Sequence, residues 1–271
     1  MINADMFDAI DWSKPWLAPL RLVADAVLHA GDWQGALNDV ANSLGLHNHR
    51  GMPIRFVPQA ELPPGMAYEA FISVTGKVPT RENLHDFFNA LVWLSFPQTK
   101  IQLNALQSSA LEASRQSDLI NQSRRGPLRD AATIFDENAA LLVSRDVDLV
   151  EGLRAHAWQH AWLAHRDDFI RDCEVWLFGH ALMEKLVKPF KSITAHAWVL
   201  IVDDAYFEMH GEAKRRWLDT AVAQSLAGGL KTTDFSPLPV LGVPGWWDRQ
   251  DEAFYGDTTV FRPKRQNDRF N

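Results

Sequence analysis

The stretch RENLHDFFNALVWLSFP constrains the chain most. Leu84, Phe87, Phe88, Leu91 and Val92 recur at i, i+3, i+4, i+7 and i+8, the stripe of a helix with one face in a core. Pro79-Thr80 opens this helix, with Thr80 as the expected cap. Phe96-Pro97 closes it, because proline lacks an N–H and the residue before it avoids helical geometry. A helix this apolar needs a second layer to pack against. Residues 1–50, 99–115, 146–165, 179–187 and 208–227 read as further helices, the last stopped by Gly228-Gly229. Met52–Val57, Tyr68–Ile72, Glu174–Phe178 and Trp198–Val202 read as short strands. Ala131–Phe135 and Ala139–Val143 flank Asp136-Glu137-Asn138 and read as a hairpin around a turn. The expected fold is therefore α+β: a helix-rich single domain with a small mixed or antiparallel sheet. Residues 1–50 form an N-terminal helical segment in this reading, 51–263 the main domain and 264–271 a flexible tail. The polar run near 116–127 is the best candidate for a boundary.

Composition narrows the function classes. The 271 residues carry a net charge of −7, and nothing in this balance predicts tight non-specific nucleic-acid binding, which needs a basic face. A single cysteine, Cys173, excludes an internal disulfide and reads as a small buried hydrophobe. The start, MINADMFDAIDWSKPW, places acids where a secretory signal needs bases, and no apolar run approaches a membrane span; both point to the cytoplasm. GxGxxG, GxxxxGK[ST], GxSxG and CxxC are all missing, which weighs against dinucleotide, P-loop, α/β-hydrolase and structural zinc classes.

Three segments can carry chemistry. In the opening helix, Arg81, His85 and Asn89 share one face, with Asp86 one step around; Lys100 and Asn104 converge on them if the next helix runs back. The bland alternative is a solvated helix face. In RGPLRDAATIFDENAALL, Arg125, Arg129 and Asp130 precede a strand, and Asp136 and Glu137 sit at its end, where turn chemistry competes with function. In FGHALMEKL, His180 and Glu184 are i and i+4 at a helix start, where the positive end of the helix disfavours imidazolium. A neutral imidazole beside a carboxylate is the chemistry of a base or a divalent-metal ligand pair, although the second histidine of HExxH is missing. The alternative is a hydrogen-bonded surface pair. His196 stands before a strand and either completes this site or bonds the backbone. His156 and His160 read as structural or exposed.

The blocks NLHDFFNALVWLSFPQTKIQLN, RGPLRDAATIFDEN, FGHALMEKL with TAHAW, and LGVPGWW with FYGDTTVFRP together resemble the bacterial domain family of unknown function numbered 3025. The resemblance implies a bacterial, single-domain, intracellular protein. It also implies that the polar members of the blocks belong together: His85, Asp86, Asn89, Lys100, Asn104, Arg129, Asp130, Asp136, Glu137, His180, Glu184 and His196. The first 50 residues lie outside the blocks and read as a variable helical lid.

Three functions follow as expectations. The first is an enzyme doing hydrolytic or acid–base chemistry on a small polar or phosphorylated substrate. His85, Asp136, His180 and Glu184 are its catalytic candidates, with His180 and Glu184 holding a divalent metal. Asn89, Lys100, Arg129, Asp130 and His196 bind substrate, Lys100 and Arg129 as anion binders. The second is a binding protein that presents Trp246, Trp247, Phe254 and Tyr255 to a protein partner or ligand. The third is a buried polar network that specifies the fold.

Overall fold

A computed structural model describes residues 5–117 and 126–264. Most of the polar run near 116–127 and nearly all of the expected tail lie outside these residues. The chain begins with α1 (Asp5–Asp8), α2 (Arg21–Leu28) and α3 (Trp33–Ser43). Then come β1 (Arg55–Pro58), α4 (Tyr68–Thr75) and β2 (Lys77–Thr80). The helices α5 (Leu84–Ser95), α6 (Pro97–Ser117) and α7 (Pro127–Asn138) precede β3 (Ala139–Ser144). After α8 (Val147–Arg154) and α9 (Arg166–Asp172) come β4 (Cys173–Leu177), α10 (His180–Lys185) and β5 (Thr194–Ile201). The chain ends with α11 (Asp204–Glu208), α12 (Gly211–Leu226), β6 (Ser236–Pro239) and α13 (Glu252–Tyr255).

The architecture is α+β, with two small sheets. The larger has the order β4-β3-β5-β6; β3 and β5 are parallel, and the outer pairings are antiparallel. Every residue of β3 is buried, as a central strand covered on both faces must be. The smaller sheet is the parallel pair β1-β2, joined across α4. No helix among the described residues is long and apolar enough to cross a membrane.

The core centres on α5. Every residue from Asp86 to Ser95 is buried, so the helix is surrounded on all sides after its first turn. Phe87 meets Phe7, Trp33 and Phe88, which ties α5 to the N-terminal helices. The following helix starts at Pro97 without a cap of its own. Asp219, reaching across from α12, accepts from Gln98 N and Thr99 N at 2.9 Å each and so caps α6 from a distance.

Four sequence expectations need correction. Tyr68–Ile72 is the start of helix α4; its stop is Gly76, with φ 72°. Thr80 ends β2 with its hydroxyl on Val78 O, and Asn83 caps α5 by accepting from Asp86 N at 2.7 Å. The hairpin at 131–143 is a helix followed by a strand. Pro127 at the first turn starts α7, and Leu128, Ala131, Ala132 and Phe135 form its inner stripe. The helix over 146–165 breaks at His156, whose φ is +60°, and resumes as a π-helical turn at His160–Ala164.

Candidate functional site

The ends of α5, α7 and α10 meet at one point. His85 projects from the first turn of α5, Glu137 from the last turn of α7, and His180 from the first turn of α10. His85 Nε2 lies 3.1 Å from His180 Nε2, and Glu137 Oε2 lies 3.5 Å from His180 Nε2 and 4.0 Å from His85 Nε2. These three ligand-type atoms all fall within 4.8 Å of one another. Ligand atoms bound tetrahedrally at zinc distances stand about 3.3–3.5 Å apart, so the spacing suits one shared ion.

The protonation pattern agrees. Glu184 Oε2 lies 3.0 Å from His85 Nδ1, so that nitrogen donates its proton and Nε2 turns a lone pair toward the cluster. Burial holds His180 down at about 4, so its ring is neutral near neutral pH. The expectation from sequence credited the helix end; burial is the dominant cause, and α10 has only six residues. His180 Nδ1 is buried with no hydrogen bond of ordinary geometry, and the Asp136 main-chain carbonyl acts on the ring only weakly. Glu137 is raised, first by burial and then by the neighbouring Asp136 charge. The two Nε2 atoms stand at hydrogen-bond distance, a contact that one N–H of a neutral imidazole satisfies and that a cation held between the rings would replace.

Below the cluster lies a hydrogen-bonded floor. Lys100 Nζ donates to Asp136 Oδ1 at 2.5 Å and to Asn89 Oδ1 at 2.9 Å, and sits 5.2 Å from the Trp93 ring centre. Asn89 Nδ2 in turn donates to Tyr68 OH at 2.9 Å. Burial raises Asp136, but Lys100 and then His180 outweigh it, and the carboxyl stays below its ordinary value. Lys100 is 3% exposed and fully engaged with this floor, so the anion-binding role expected of it is not available. Arg81 precedes α5 and grips the buried Asp86 through two of its nitrogens, at 2.9 and 3.0 Å. The expected convergence of Asn104 ends on Glu69, whose main-chain oxygen and carboxylate both accept from its Nδ2.

A cleft of about 420 Å³ opens over the cluster, and His85, Asn89, Arg129, Asp136, Glu137 and His180 all line it. Not every expected residue belongs. Asp130 is exposed on the outside of α7, because it is one residue round from Arg129. His196 sits in β5, takes a hydrogen bond from Asn138 Nδ2 at 2.9 Å and packs edge-on to Phe235, away from the cleft. Glu184 is not in the three-residue set but behind it, on the far nitrogen of His85. From sequence, Glu137 reads as a strand-end acid and as a member of the family's polar set, with no ligand role, and Tyr68 and Gln107, which also line the cleft, are not singled out. The missing signal was the helical reading of 127–138, which puts residues 129, 133, 136 and 137 on one side.

Gly179 fixes the approach of α10 to α7. Its N donates to Ala139 O at 2.8 Å, and a Cβ there would stand 2.5 Å from Asn138 N and Cα. Only hydrogen fits, so the requirement is for closeness, since the φ of −60° is ordinary.

The aromatic C-terminal stretch does not form an open surface. Phe254 and Tyr255 are buried, Trp246 and Trp247 are half-buried, and Trp246 packs on Trp16.

No curated protein and no solved structure matches the chain. One family model does, over residues 54–265, and this span contains the whole cluster and the floor beneath it. The chain belongs to the family described as Protein of unknown function (DUF3025).

Proposed function

We propose that the cleft is the active site of a mononuclear metal-dependent hydrolase acting on a small polar molecule. The observation that carries this reading is the His85–His180–Glu137 set, with three ligand-type atoms around one point and an open cleft beside them. Three protein ligands with one free position are the pattern of catalytic zinc sites. A bound divalent ion would acidify a water molecule there. Held by His85, His180 and Glu137, such an ion would supply a water nucleophile for hydrolysis of a carbon or phosphorus centre, the leaving group taking up the proton that the water gives up. Glu184 orients His85. The Lys100–Asp136 pair neutralises one of the two adjacent acids and leaves Glu137 for the cation. Two histidines and one carboxylate also suit iron(II), so the identity of the ion decides between hydrolysis and oxidative chemistry.

The test is elemental analysis of protein purified without chelator and without nickel affinity, beside His180→Ala and Glu137→Ala. The expected result is about one zinc, manganese or iron per chain, lost in both variants, with Glu184→Gln weakened about 10–100-fold in affinity. If wild type takes up none of these ions on titration, the reading fails. The polar groups would then be a fold-specifying network.

A further inference from the structure

Beyond the histidines, the cleft carries hydrogen-bond donors with nothing to donate to. Arg129 lies two turns before Glu137 on α7, about 12 Å along the helix. Its guanidinium makes no ion pair among the described residues, and its buried Nε has no partner. The other cleft-side cations are taken, Arg81 by Asp86 and Lys100 by Asp136. Gln107, on α6, is only 6% exposed, and its side chain makes no hydrogen bond among the described residues although it lines the cleft. Tyr68 OH accepts from Asn89, which leaves its own hydrogen to give. A buried guanidinium nitrogen without an acceptor costs free energy that a ligand returns, and the Gln107 amide beside the cleft is free to join it. Glu69 shares this wall: Asn104 holds one of its oxygens, burial raises its affinity for a proton, and the Arg129 charge acts on it in the opposite direction without an ion-pair contact. A fork of guanidinium donors with an amide and a hydroxyl matches the paired oxygens of a carboxylate or phosphate.

We propose that Arg129, Gln107 and Tyr68 form an oxyanion seat, so that the substrate of this cleft carries a carboxylate or phosphate group remote from the bond being broken. The substrate half of this inference rests on the hydrolase reading; the seat itself does not.

The experiment is calorimetric titration of metal-free protein with inorganic phosphate and, separately, with acetate. Removing the metal first prevents either anion from reporting on a bound ion. Saturable single-site binding is expected for at least one of them, and the stronger arm identifies the group. Arg129→Met should weaken it about tenfold or more, the loss of a charge-assisted pair, and Arg129→Lys should restore part of it. Gln107→Leu should weaken it less and guards against misfolding of the arginine variant. No saturation by either anion up to about 10 mM, or equal binding by wild type and Arg129→Met, overturns the seat. Zinc titration of Arg129→Met separates the two readings. Zinc uptake with anion binding lost supports both. Zinc uptake with anion binding unchanged overturns the seat alone. Arginine-dependent anion binding in a chain whose wild type takes no metal leaves the seat standing and removes the hydrolase.

Discussion

Two lysines are buried in this protein, and their surroundings diverge. Lys100 lies 2.5 Å from Asp136 and 5.2 Å from the Trp93 ring centre; Lys214 lies 2.5 Å from Glu174 and 4.7 Å from that of Tyr206. Each sets a buried ammonium on an aromatic ring beside a carboxylate, Asp136 nearly buried and Glu174 partly open to solvent. Around Lys100 the neighbours are polar, and the next acid along the helix, Glu137, faces two histidines. Around Lys214 the neighbours close the chemistry off. Tyr206 donates its hydroxyl to Glu174 at 2.9 Å, and the adjoining groove of about 580 Å³ is lined by Leu22, Ile170, Met209 and Trp246 among others. Glu174 stands on β4, an outer strand of the larger sheet, where a charge discourages pairing with another chain. The same kind of pair thus underlies the candidate site in one place and a sheet edge in the other. The difference lies in what the neighbouring carboxylate and rings are left free to do.

The largest effect that can break this comparison is on stability. Lys100→Met leaves Asp136 buried and unpaired and should cost about 3–5 kcal/mol. Lys214→Met leaves Glu174 with the Tyr206 hydroxyl and partial solvent, and should cost about 1–2 kcal/mol. Urea unfolding measures both, and equal losses would make the two pairs energetically the same.

Ligand-linked stability comes next. Zinc should stabilise wild type and Lys214→Met alike, by about 2.7 kcal/mol at a hundredfold excess over Kd, and should not stabilise His180→Ala. Thermal melts with and without zinc read this directly, and a shift retained in His180→Ala would remove the asymmetry between the regions.

The tyrosines give a smaller and finer contrast. Burial raises Tyr68, with help from Glu69 and Asp136; burial also raises Tyr206, with help from Glu174; and Tyr255 is pushed up to about 12 by burial. The folded phenols hold their protons more tightly than unfolded ones. Their contribution is therefore complete below pH about 10 and is lost as pH rises through the folded values. Ultraviolet titration should show no tyrosinate wave near pH 10 before alkaline unfolding. Glu174→Gln should bring Tyr206 down and leave Tyr68 in place.

The smallest effect concerns Cys173, beside the second pair. It is 4% exposed and its thiol is pushed up to about 11 by burial, so a disulfide-exchange reagent at pH 8 should leave it unmodified until denaturant is added. Prompt reaction in the native state would show the groove to be open down to its floor.

How much of this was legible depended on periodicity. The stripe from Leu84 to Val92 announced α5, and Pro97 marked its end. The helices over 97–117 and 211–226 and the strands at 173–177 and 194–201 carried equally local signals. Of the twelve polar residues in the family blocks, His85, Asp86, Asn89, Arg129, Asp136, Glu137 and His180 line the cleft, whereas Lys100, Asn104, Asp130, Glu184 and His196 do not. The hairpin at 131–143 was misread because Asp-Glu-Asn is favoured both in turns and, here, at the last turn of a helix that passes directly into a strand. That one misreading hid the helix side that Glu137 shares with Arg129 and Asp136. The meeting of His85 with His180, 95 positions apart, rests on α5 packing against α10, and no spacing rule encodes that. For the same reason no spacing rule shows that Glu184, one turn from His180, reaches across to His85 Nδ1.

The close pass at Gly179 has a consequence for ion choice. Glu137 lies one residue before Asn138, and His180 one residue after Gly179, so the separation of these two side chains is set where main chain touches main chain. Side-chain packing can relax to suit a larger occupant, but two backbones already in contact cannot close further, and their hydrogen bond resists opening. For the ion proposed above, a cage built this way would discriminate by radius: it would suit ions that bond at about 2.0–2.2 Å, as zinc does, and would leave calcium, at about 2.3–2.6 Å and wanting six or more oxygens, without a fit.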